Sequence, residues 1–222
     1  MTIKNMELSI KPRPTLAIIG VISALTLRAE PVYVCSGQEP PEIGPHDIES
    51  HSEIAAVRYN SQDDETNNRA GQTFQMGTRL QNHLITGVTF YGYGFWGQPR
   101  HVTINIREQG REGALIASQK FAMPELLDIG YLTFTFDTRP DEGFTWASPE
   151  MEGKYKDEAS GLAVFPAGAV VAVDTGSEGG GWRLMLYEAN LIAGQFYKND
   201  WDGWGNWDRR CVLHISAPPV PK

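Results

Sequence analysis

Three tryptophans spaced three residues apart are the most distinctive candidates for a binding function in this sequence. They are Trp201, Trp204 and Trp207. They lie in the stretch KNDWDGWGNW, whose aspartates, asparagines and glycines favour a turn or irregular hairpin over a helix. The dipeptide Asp202-Gly203 predicts a hairpin turn that joins strands at 195–197 and 211–215. The rings would then lie on or beside that turn.

A second aromatic run, from Phe90 to Gly97, alternates rings with glycines and contains Tyr93 and Trp96. Sugar rings pack on tyrosine and tryptophan faces, and neighbouring polar side chains bind their hydroxyls. Proteins and membrane surfaces also contact such rings. The predicted contact residues for a ligand or partner are Tyr93, Trp96, Trp201, Trp204 and Trp207. Packing within the core and loops is the alternative, because half of the rings on an alternating strand face inward.

An acidic cluster within residues 62–68 supplies the oxygen ligands that calcium prefers. Its members are Asp63, Asp64, Glu65 and Asn67. Calcium takes six to eight such oxygens, but the spacing does not match an EF-hand loop. A structural calcium ion and a solvated acidic turn therefore remain alternatives.

Motifs for catalysis are missing from the sequence. It contains no G-x-S-x-G, no H-E-x-x-H and no phosphate-binding P-loop. The histidines are scattered, with no spacing that selects a catalytic or metal-binding set: His46, His51, His83, His101 and His214. We therefore expect no enzymatic activity and no cofactor other than the structural calcium ion.

Two cysteines, Cys35 and Cys211, lie far apart in the chain. In an oxidising compartment such a pair tends to form a disulfide. This bridge would close a loop of about 176 residues and contribute roughly 5 kcal/mol by restricting the unfolded chain. We predict this disulfide, with two unrelated buried thiols as the alternative.

The amino terminus has the charge order of an export signal, with Lys4, Lys11 and Arg13 before an uncharged apolar run at 15–27. As a helix this run spans roughly 20 Å, less than the roughly 30 Å hydrocarbon core, which favours a cleaved signal peptide. Both alanine-ending cleavage sites carry a bulky residue at minus three, which favours an uncleaved anchor. The side chains of that membrane segment would be Leu16, Ile18, Ile19, Val21, Ile22, Leu25 and Leu27.

Composition bears on both partner and fold class. A net charge of −8 would be repelled by phosphate backbones, so nucleic acid is not an expected partner. The 23 glycines and 14 prolines suit short strands and tight turns better than long helices.

Runs with alternating or β-branched character recur after residue 53. The clearest lies at 131–136, where Leu132, Phe134 and Phe136 would face one side of a strand and two threonines the other. The other runs are 53–59, 72–75, 84–93, 101–107, 115–121, 169–174, 182–187 and 211–216. They predict an all-β fold, a two-sheet antiparallel β-sandwich of the jelly-roll type, preceded by an N-terminal hydrophobic helix.

The chain divides into four parts by composition. They are a signal peptide or signal-anchor at 1–34, a proline-rich arm or linker at 35–53, the β-sandwich at 54–217 and a tail at 218–222. Residues 36–51 are polar and proline-rich and are expected outside the core. The charged segment 142–163 lacks strand alternation and is predicted to be an insertion or lid-like loop.

A series of short motifs continues from residue 70 to residue 215. It comprises AGQTF at 70–74, ITGVTF at 85–90, VTINIRE at 102–108, LIASQ at 115–119, LTFTF at 132–136, FPAGAVVAV at 165–173, AGQFY at 193–197 and a last strand at 211–215. Over roughly residues 54–216 the chain resembles bacterial extracellular β-sandwich modules of the jelly-roll, carbohydrate-binding-module-like type. The resemblance implies a β-sandwich used for adhesion, carbohydrate binding or structural packing. The segment 142–163, the tryptophans and the cysteine pair depart from the common pattern.

These features together predict a non-catalytic β-sandwich that is exported and held at the membrane, with its domain on the periplasmic or extracellular side. It would be an accessory or structural subunit of a larger membrane protein assembly, of which photosynthetic and respiratory complexes are examples. The runner-up is a secreted carbohydrate-binding or adhesion module with a tryptophan platform and a glycan as partner.

Overall fold

The computed structural model describes residues 33–35, 41–49, 56–60, 70–109, 113–123, 130–140, 143–188, 196–198, 201–202, 207–209 and 211–219. For residues 33–35, 56–60, 70, 91–100, 177–188, 196–198, 201–202 and 207–209 the description covers the strand backbone. Within this part of the chain, no helix is long and apolar enough to cross a membrane. The predicted membrane segment at 15–27 lies outside the described residues.

Strands dominate the described chain. They are β1 (Tyr33–Cys35), β2 (Ile48–Glu49), β3 (Ala56–Asn60), β4 (Ala70–Gln75), β5 (Asn82–Glu108), β6 (Leu115–Ala122), β7 (Gly130–Thr135), β8 (Phe144–Trp146), β9 (Val164–Pro166), β10 (Val170–Glu188), β11 (Phe196–Lys198), β12 (Trp201–Asp202), β13 (Trp207–Arg209) and β14 (Cys211–Ser216). A single short helix, α1 (Pro149–Tyr155), is described between β8 and β9.

Strand β5 joins two antiparallel sheets because its two halves pair with different strands. The first half pairs with β7 and β14, and the first sheet continues to β1 beyond β7 and to β2 beyond β14. The second half pairs with β6 and β10; β8 follows β6, while β4, β11 and β12 follow β10. Strands β3 and β13 pair with the end of β10, and β9 pairs with the start of β5. This mostly β architecture of two antiparallel sheets confirms the predicted fold class at that level.

The core lies between the two sheets. On β7, Leu132 and Phe134 are fully buried, while Thr133 and Thr135 face outward, so the predicted alternation is confirmed. Phe121 of β6 meets Phe134 of β7 edge to face, with ring centroids 5.1 Å apart. Such aromatic contacts add to the burial of apolar surface that holds the layers together.

The two longest strands correct the predicted boundaries. The sequence predicts separate strands at 84–93 and 101–107, and at 169–174 and 182–187, because glycines and Pro99 interrupt the runs. In the structure β5 and β10 pair almost without a break from Glu108↔Val171 to Gly92↔Leu184, with register shifts at 178/180 and 183/184. The hydrogen bonds between β5 and β10 outweigh the tendency of the glycines and Pro99 to end a strand. Bulges at the two register shifts accommodate the extra residues.

The arm pairs with the first sheet and packs on the core, which was not predicted. Strand β2 adds to the edge of the first sheet, where Ile48 pairs with Leu213 and Glu49 with Val212. Ile48 also packs against the buried core, so the prediction that 36–51 lies outside the core is wrong for this residue. An exposed strand edge offers unpaired backbone groups, and the arm satisfies those of β14.

The described part of the segment 142–163, residues 143–163, packs against the sandwich, unlike the predicted lid-like loop, while the alternative prediction of an insertion stays a prediction. It contains β8 and α1, and its apolar side chains at 144, 146, 151, 155 and 162 pack on the core. The helix begins at an N-cap serine, Ser148, whose Oγ accepts a hydrogen bond from the Met151 N–H at 3.2 Å. Pro149 follows it, at the helical position where a missing N–H is tolerated.

The predicted hairpin between the strands at 195–197 and 211–215 is wrong, because β11 and β14 pair with other strands. Lys198 of β11 pairs with Trp201 of β12, so residues 199 and 200 connect these strands. Strand β14 pairs with β2 and β5 instead of β11.

The strand register does not support the predicted disulfide. Cys35 pairs with Leu132, Leu132 with Phe90, and Phe90 with Cys211, which puts the two cysteines three strands apart in one row. Three spacings of about 4.8 Å place their Cα atoms about 14 Å apart. A disulfide requires Cα atoms within about 7 Å.

Gly87 lies where β5 and β7 approach closely, and it gives a direct test of this register. A Cβ there would meet the backbone oxygen of Phe134 at 2.5 Å. We expect Gly87→Ala to lower the free energy of unfolding by about 2 kcal/mol, a drop in Tm of about 4–8 °C, measured by thermal unfolding. Gly176→Ala is the matched strand control, because nothing lies within 4 Å of its added Cβ. Equal stability of the two variants would contradict the register.

Candidate functional site

A tight turn in the middle of the arm, at residues 44–47, positions the Asp47 carboxylate over the first sheet. Pro45 follows Gly44, which suits the second position of a β-turn. The Asp47 N–H donates to the Gly44 carbonyl at 3.2 Å, and the Gly44 N–H donates to Asp47 Oδ2 at 3.0 Å. The turn is thus closed from both sides, and its aspartate is held at the point where β2 begins.

Asp47 begins a continuous network of polar side chains. Its Oδ2 accepts from His214 Nδ1 at 2.8 Å, and its Oδ1 accepts from the Ile215 N–H at 2.8 Å. His214 Nε2 lies 2.7 Å from Thr89 Oγ1, which lies 2.8 Å from Thr133 Oγ1. Because the carboxylate only accepts, His214 donates its Nδ1–H to Asp47. We call these four residues, Asp47, His214, Thr89 and Thr133, the arm clamp.

The arm clamp has the connectivity of a catalytic triad without the access that one needs. A carboxylate orients an imidazole that in turn bonds to a hydroxyl, as in serine hydrolases. Thr89, however, is fully buried at 0% exposure, and its hydroxyl also bonds to Thr133. A nucleophile must reach a substrate carbonyl. What the network does in this arrangement is fasten the arm to β5, β7 and β14.

Opposing effects set the pKa of Asp47. Burial of the carboxyl raises the pKa, but the hydrogen bonds from His214, Ile215 and Gly44, with the charge of His214, outweigh it and hold the pKa below its usual value. The side chain is 6% exposed. The carboxylate form is therefore the one that the clamp stabilises.

An open pocket of about 380 Å³ adjoins the arm clamp on the outer face of the first sheet. Its lining is mostly polar and small: Glu42, Gly44, Asp47, Thr86, Gly87, Thr133, Thr135 and His214. No large aliphatic or aromatic side chain is among these lining residues, although such side chains usually line small-molecule sites. Of its polar side chains, Asp47, His214 and Thr133 belong to the arm clamp.

A second polar cluster lies on the second sheet. Asp174 of β10 is fully buried and accepts from Arg107 Nε at 2.7 Å and from Asn105 Nδ2 at 2.6 Å. Asn105 lies directly opposite Asp174 in the ladder, and Gly71 lies opposite on the other side. A buried carboxylate is tolerated when such charge-assisted bonds compensate its lost hydration.

A third cluster holds α1 against the end of the sandwich. Glu108 Oε1 accepts from Lys154 Nζ at 2.7 Å and from the Tyr155 hydroxyl. The bond from Lys154, followed by that from Tyr155, lowers the pKa of Glu108. The Tyr155 ring packs on Phe165, with centroids 5.0 Å apart. A pocket of about 380 Å³ lies beside this cluster, and three of its lining side chains, Glu108, Lys154 and Tyr155, already bond to one another.

The predicted aromatic contact residues lie on strands whose backbone alone is described. Tyr93 and Trp96 lie on β5, Trp201 on β12 and Trp207 on β13, while Trp204 lies outside the described residues. The backbone puts Trp201 and Trp207 on different strands with different partners, since Trp201 pairs with Lys198 and Trp207 with Glu188. Their role in ligand or partner contact stays a prediction.

The predicted calcium ligands at 63–65 and 67 also lie outside the described residues. Among the residues that the structure describes, no group of three or more His, Cys, Asp or Glu side chains could hold a metal ion. The calcium site therefore stays a prediction.

Sequence reasoning missed the arm clamp altogether. It treated His214 as one of five scattered histidines and did not single out Asp47. The two residues are 167 positions apart, and Thr89 and His214 are 125 apart. No local spacing could have found them, because the register of β14 against β2 and β5 is what brings them together.

The fold and these clusters define a two-sheet β-sandwich whose amino-terminal arm is fixed by a buried polar network. No protein-family model matches the chain, and no curated protein shows significant similarity to it.

Proposed function

We propose that this protein is a non-catalytic, exported β-sandwich of the jelly-roll type that serves as an accessory or structural subunit of a membrane protein assembly. Its apolar segment at 15–27 forms an N-terminal hydrophobic helix that anchors it, and the domain lies on the periplasmic or extracellular side. This proposal includes the resemblance of roughly residues 54–216 to bacterial extracellular β-sandwich modules. Recognition of neighbouring subunits is then its mode of action.

The arm clamp is the observation that carries the proposal. The arm is the chain that links the proposed anchor to the sandwich. A flexible tether would need no buried charged contact, yet Asp47 makes three hydrogen bonds from an almost fully buried side chain. Such bonds hold the arm in one position on the first sheet. A fixed arm sets the orientation of the domain relative to the membrane, which a subunit of an assembly needs.

The same network supports a role without catalysis. The hydroxyl that would be the nucleophile belongs to Thr89, which is buried at 0% exposure. The clamp serves an attachment role more simply than an acyl-transfer role.

The test is purification of the untagged protein from its own membranes in mild detergent, followed by intact mass measurement and identification of co-purifying proteins. We expect a mass that retains the amino-terminal segment, together with partner subunits in fixed ratio. The variant Asp47→Ala should stay in the membrane fraction but recover less partner, because its arm is released. Asp137→Ala is the control, since this carboxylate bonds to Arg139 at the surface.

A mature mass that begins near Glu30, with no partners, would contradict the anchored subunit. The secreted glycan-binding or adhesion module would then be the better proposal. It predicts binding on a glycan array that is lost in Trp201→Ala or Trp204→Ala.

A further inference from the structure

The pocket beside the Glu108 cluster has the mixed polar and apolar lining of a small-molecule site. Its volume of about 380 Å³ lies within the roughly 300–1,000 Å³ of typical ligand pockets. Its polar side chains are Glu108, Gln109, Lys154 and Tyr155, and its apolar ones are Val164, Phe165, Pro166, Ala169 and Val170. Val170 is 37% exposed, so this apolar lining is accessible to a ligand.

Gln109 is held in a backbone conformation that glutamine rarely adopts. Its φ is +59°, and no other non-glycine residue in the described part of the chain has a positive φ. Its N–H donates to the Val170 carbonyl at 3.1 Å, which ties it to the start of β10. Glycine would adopt this φ without strain. Strained residues cluster at ligand sites, and the Gln109 side chain lines the pocket, which gives a reason for glutamine at this position.

One positive and one negative charge lie side by side in the pocket. Lys154 Nζ donates to Glu108 Oε1 at 2.7 Å. This bond is the main cause that lowers the pKa of Glu108 and raises the pKa of Lys154, so both groups are charged at pH 7. Glu108 Oε2 and the Gln109 side-chain amide make no hydrogen bond with the residues that the structure describes. The pocket therefore offers a cation, an unused carboxylate oxygen and an unused amide.

This ion pair selects against ligands with a single charge. An anion bonded to Lys154 would lie beside the Glu108 carboxylate, and a cation bonded to Glu108 would lie beside the Lys154 ammonium, so each would be repelled as well as attracted. A zwitterion matches both charges, with its carboxylate on Lys154 and its ammonium on Glu108. The Gln109 amide can donate to the one group and accept from the other. An α-amino acid carries both charged groups on one carbon.

The apolar lining indicates the rest of the ligand. An aliphatic side chain would be buried favourably against the exposed Val170 and its apolar neighbours in the pocket. A sugar would instead need an open aromatic face. The Tyr155 ring is already occupied, because it packs on Phe165 with centroids 5.0 Å apart and has Lys154 Nζ 4.8 Å from its centroid.

We propose that this pocket binds a free α-amino acid with an aliphatic side chain, such as leucine. Lys154 binds its carboxylate, Glu108 binds its ammonium, the Gln109 amide bonds to both groups, and the aliphatic side chain packs on Val170. The proposal is independent of the anchored-subunit function, since it needs neither a membrane nor a partner.

The test is titration of the untagged full chain with L-leucine, followed by saturation-transfer NMR, in a detergent without a sugar headgroup. Three analogues each lack one feature: L-leucinamide the carboxylate, N-acetyl-L-leucine the ammonium and glycine the aliphatic side chain. Three variants each remove one contact: Lys154→Gln, Glu108→Gln and Gln109→Gly. Lys156→Gln is the matched control, because Lys156 bonds to Glu152 at 2.7 Å beside the same helix and does not line the pocket.

We expect saturable binding of L-leucine that is at least about threefold weaker for each analogue and in each of the three variants, and unchanged in Lys156→Gln. The Lys154 and Glu108 side chains are 58% and 26% exposed, so solvent screening keeps these ratios modest. Gln109→Gly should weaken binding without lowering the Tm, because glycine relieves the strain. A merely structural role of Gln109 would not separate these two effects.

Three results would overturn the proposal. They are absence of L-leucine binding, equal affinity for L-leucine, L-leucinamide and N-acetyl-L-leucine, and a loss of affinity in Lys156→Gln as large as that in Lys154→Gln. Binding of D-glucose that is lost in the same three variants would replace the amino acid with a sugar. If Glu108→Gln fails to fold, Lys154→Gln and Gln109→Gly decide.

Discussion

Replacing Asp47 with alanine is expected to lower the free energy of unfolding by about 3 kcal/mol, a drop in Tm of about 6–12 °C. The substitution leaves the His214 ring and the N–H groups of Ile215 and Gly44 without their acceptor. Truncating one member of a buried charged network costs more than the net contribution of the bonds, because the remaining groups stay desolvated. Thermal unfolding followed by tryptophan fluorescence measures the change.

The Asp47 effect should depend on pH in one direction. The pKa of this carboxyl is lowered in the folded protein, so its contribution is present above the unfolded pKa of about 3.9 and is lost as the pH falls through the lower folded value. The stability difference between wild type and Asp47→Ala should therefore be full above about pH 5 and should shrink below about pH 4. A difference that stays constant down to pH 3, or that is largest there, would rule out the arm clamp as described.

Replacing Arg107 with alanine is expected to be still more destabilising, by about 4 kcal/mol or about 8–16 °C in Tm. Asp174 is 0% exposed and Arg107 is 14% exposed, so the truncation removes a directly bonded cation from a buried carboxylate. Asn105 remains as a donor at 2.6 Å, but it is neutral and cannot compensate the charge. The same unfolding measurement applies.

The chain contains a matched control for this ion pair. Arg139 donates from Nε to Asp137 Oδ2 at 2.8 Å, but the two side chains are 56% and 27% exposed. Surface pairs of this kind contribute about 0–1 kcal/mol, so Arg139→Ala should change the stability by less than about 1 kcal/mol. If Arg107→Ala and Arg139→Ala were equally mild, Asp174 would have to be hydrated, and the burial of the second cluster would be wrong.

The polar clusters explain how the sandwich holds the arm and helix α1 in place. The arm clamp holds the arm on the first sheet, and the Glu108 cluster holds α1 at one end. In each cluster a carboxylate accepts several hydrogen bonds. These bonds orient the attached segment as well as bind it. Loss of partner subunits in Asp47→Ala would then connect arm position to function.

Local sequence patterns correctly predicted several strands and the side of a strand that faces the core. The predicted strand at 211–216 coincides with β14, and the alternation at 131–136 correctly assigns Leu132 and Phe134 to the core and the threonines to the outside. The prediction of faces is correct because side chains alternate between the two faces of a strand. A strand with one buried face therefore shows alternating apolar and polar residues in its sequence. The helix α1 also had a local signal, the Ser148-Pro149 start, which the charged composition of the segment obscured.

The sequence by itself determined that strands form, which of their faces is apolar, and that no familiar catalytic motif is present. The tertiary structure decided which residues meet. It placed His214 between Asp47 and Thr89, and it put two strands, β7 and β5, between Cys35 and Cys211. The physical reason is register. Alternation assigns a residue to a face of a sheet, but the partner across the ladder depends on strands that are distant in the chain, and a local pattern carries no information about them.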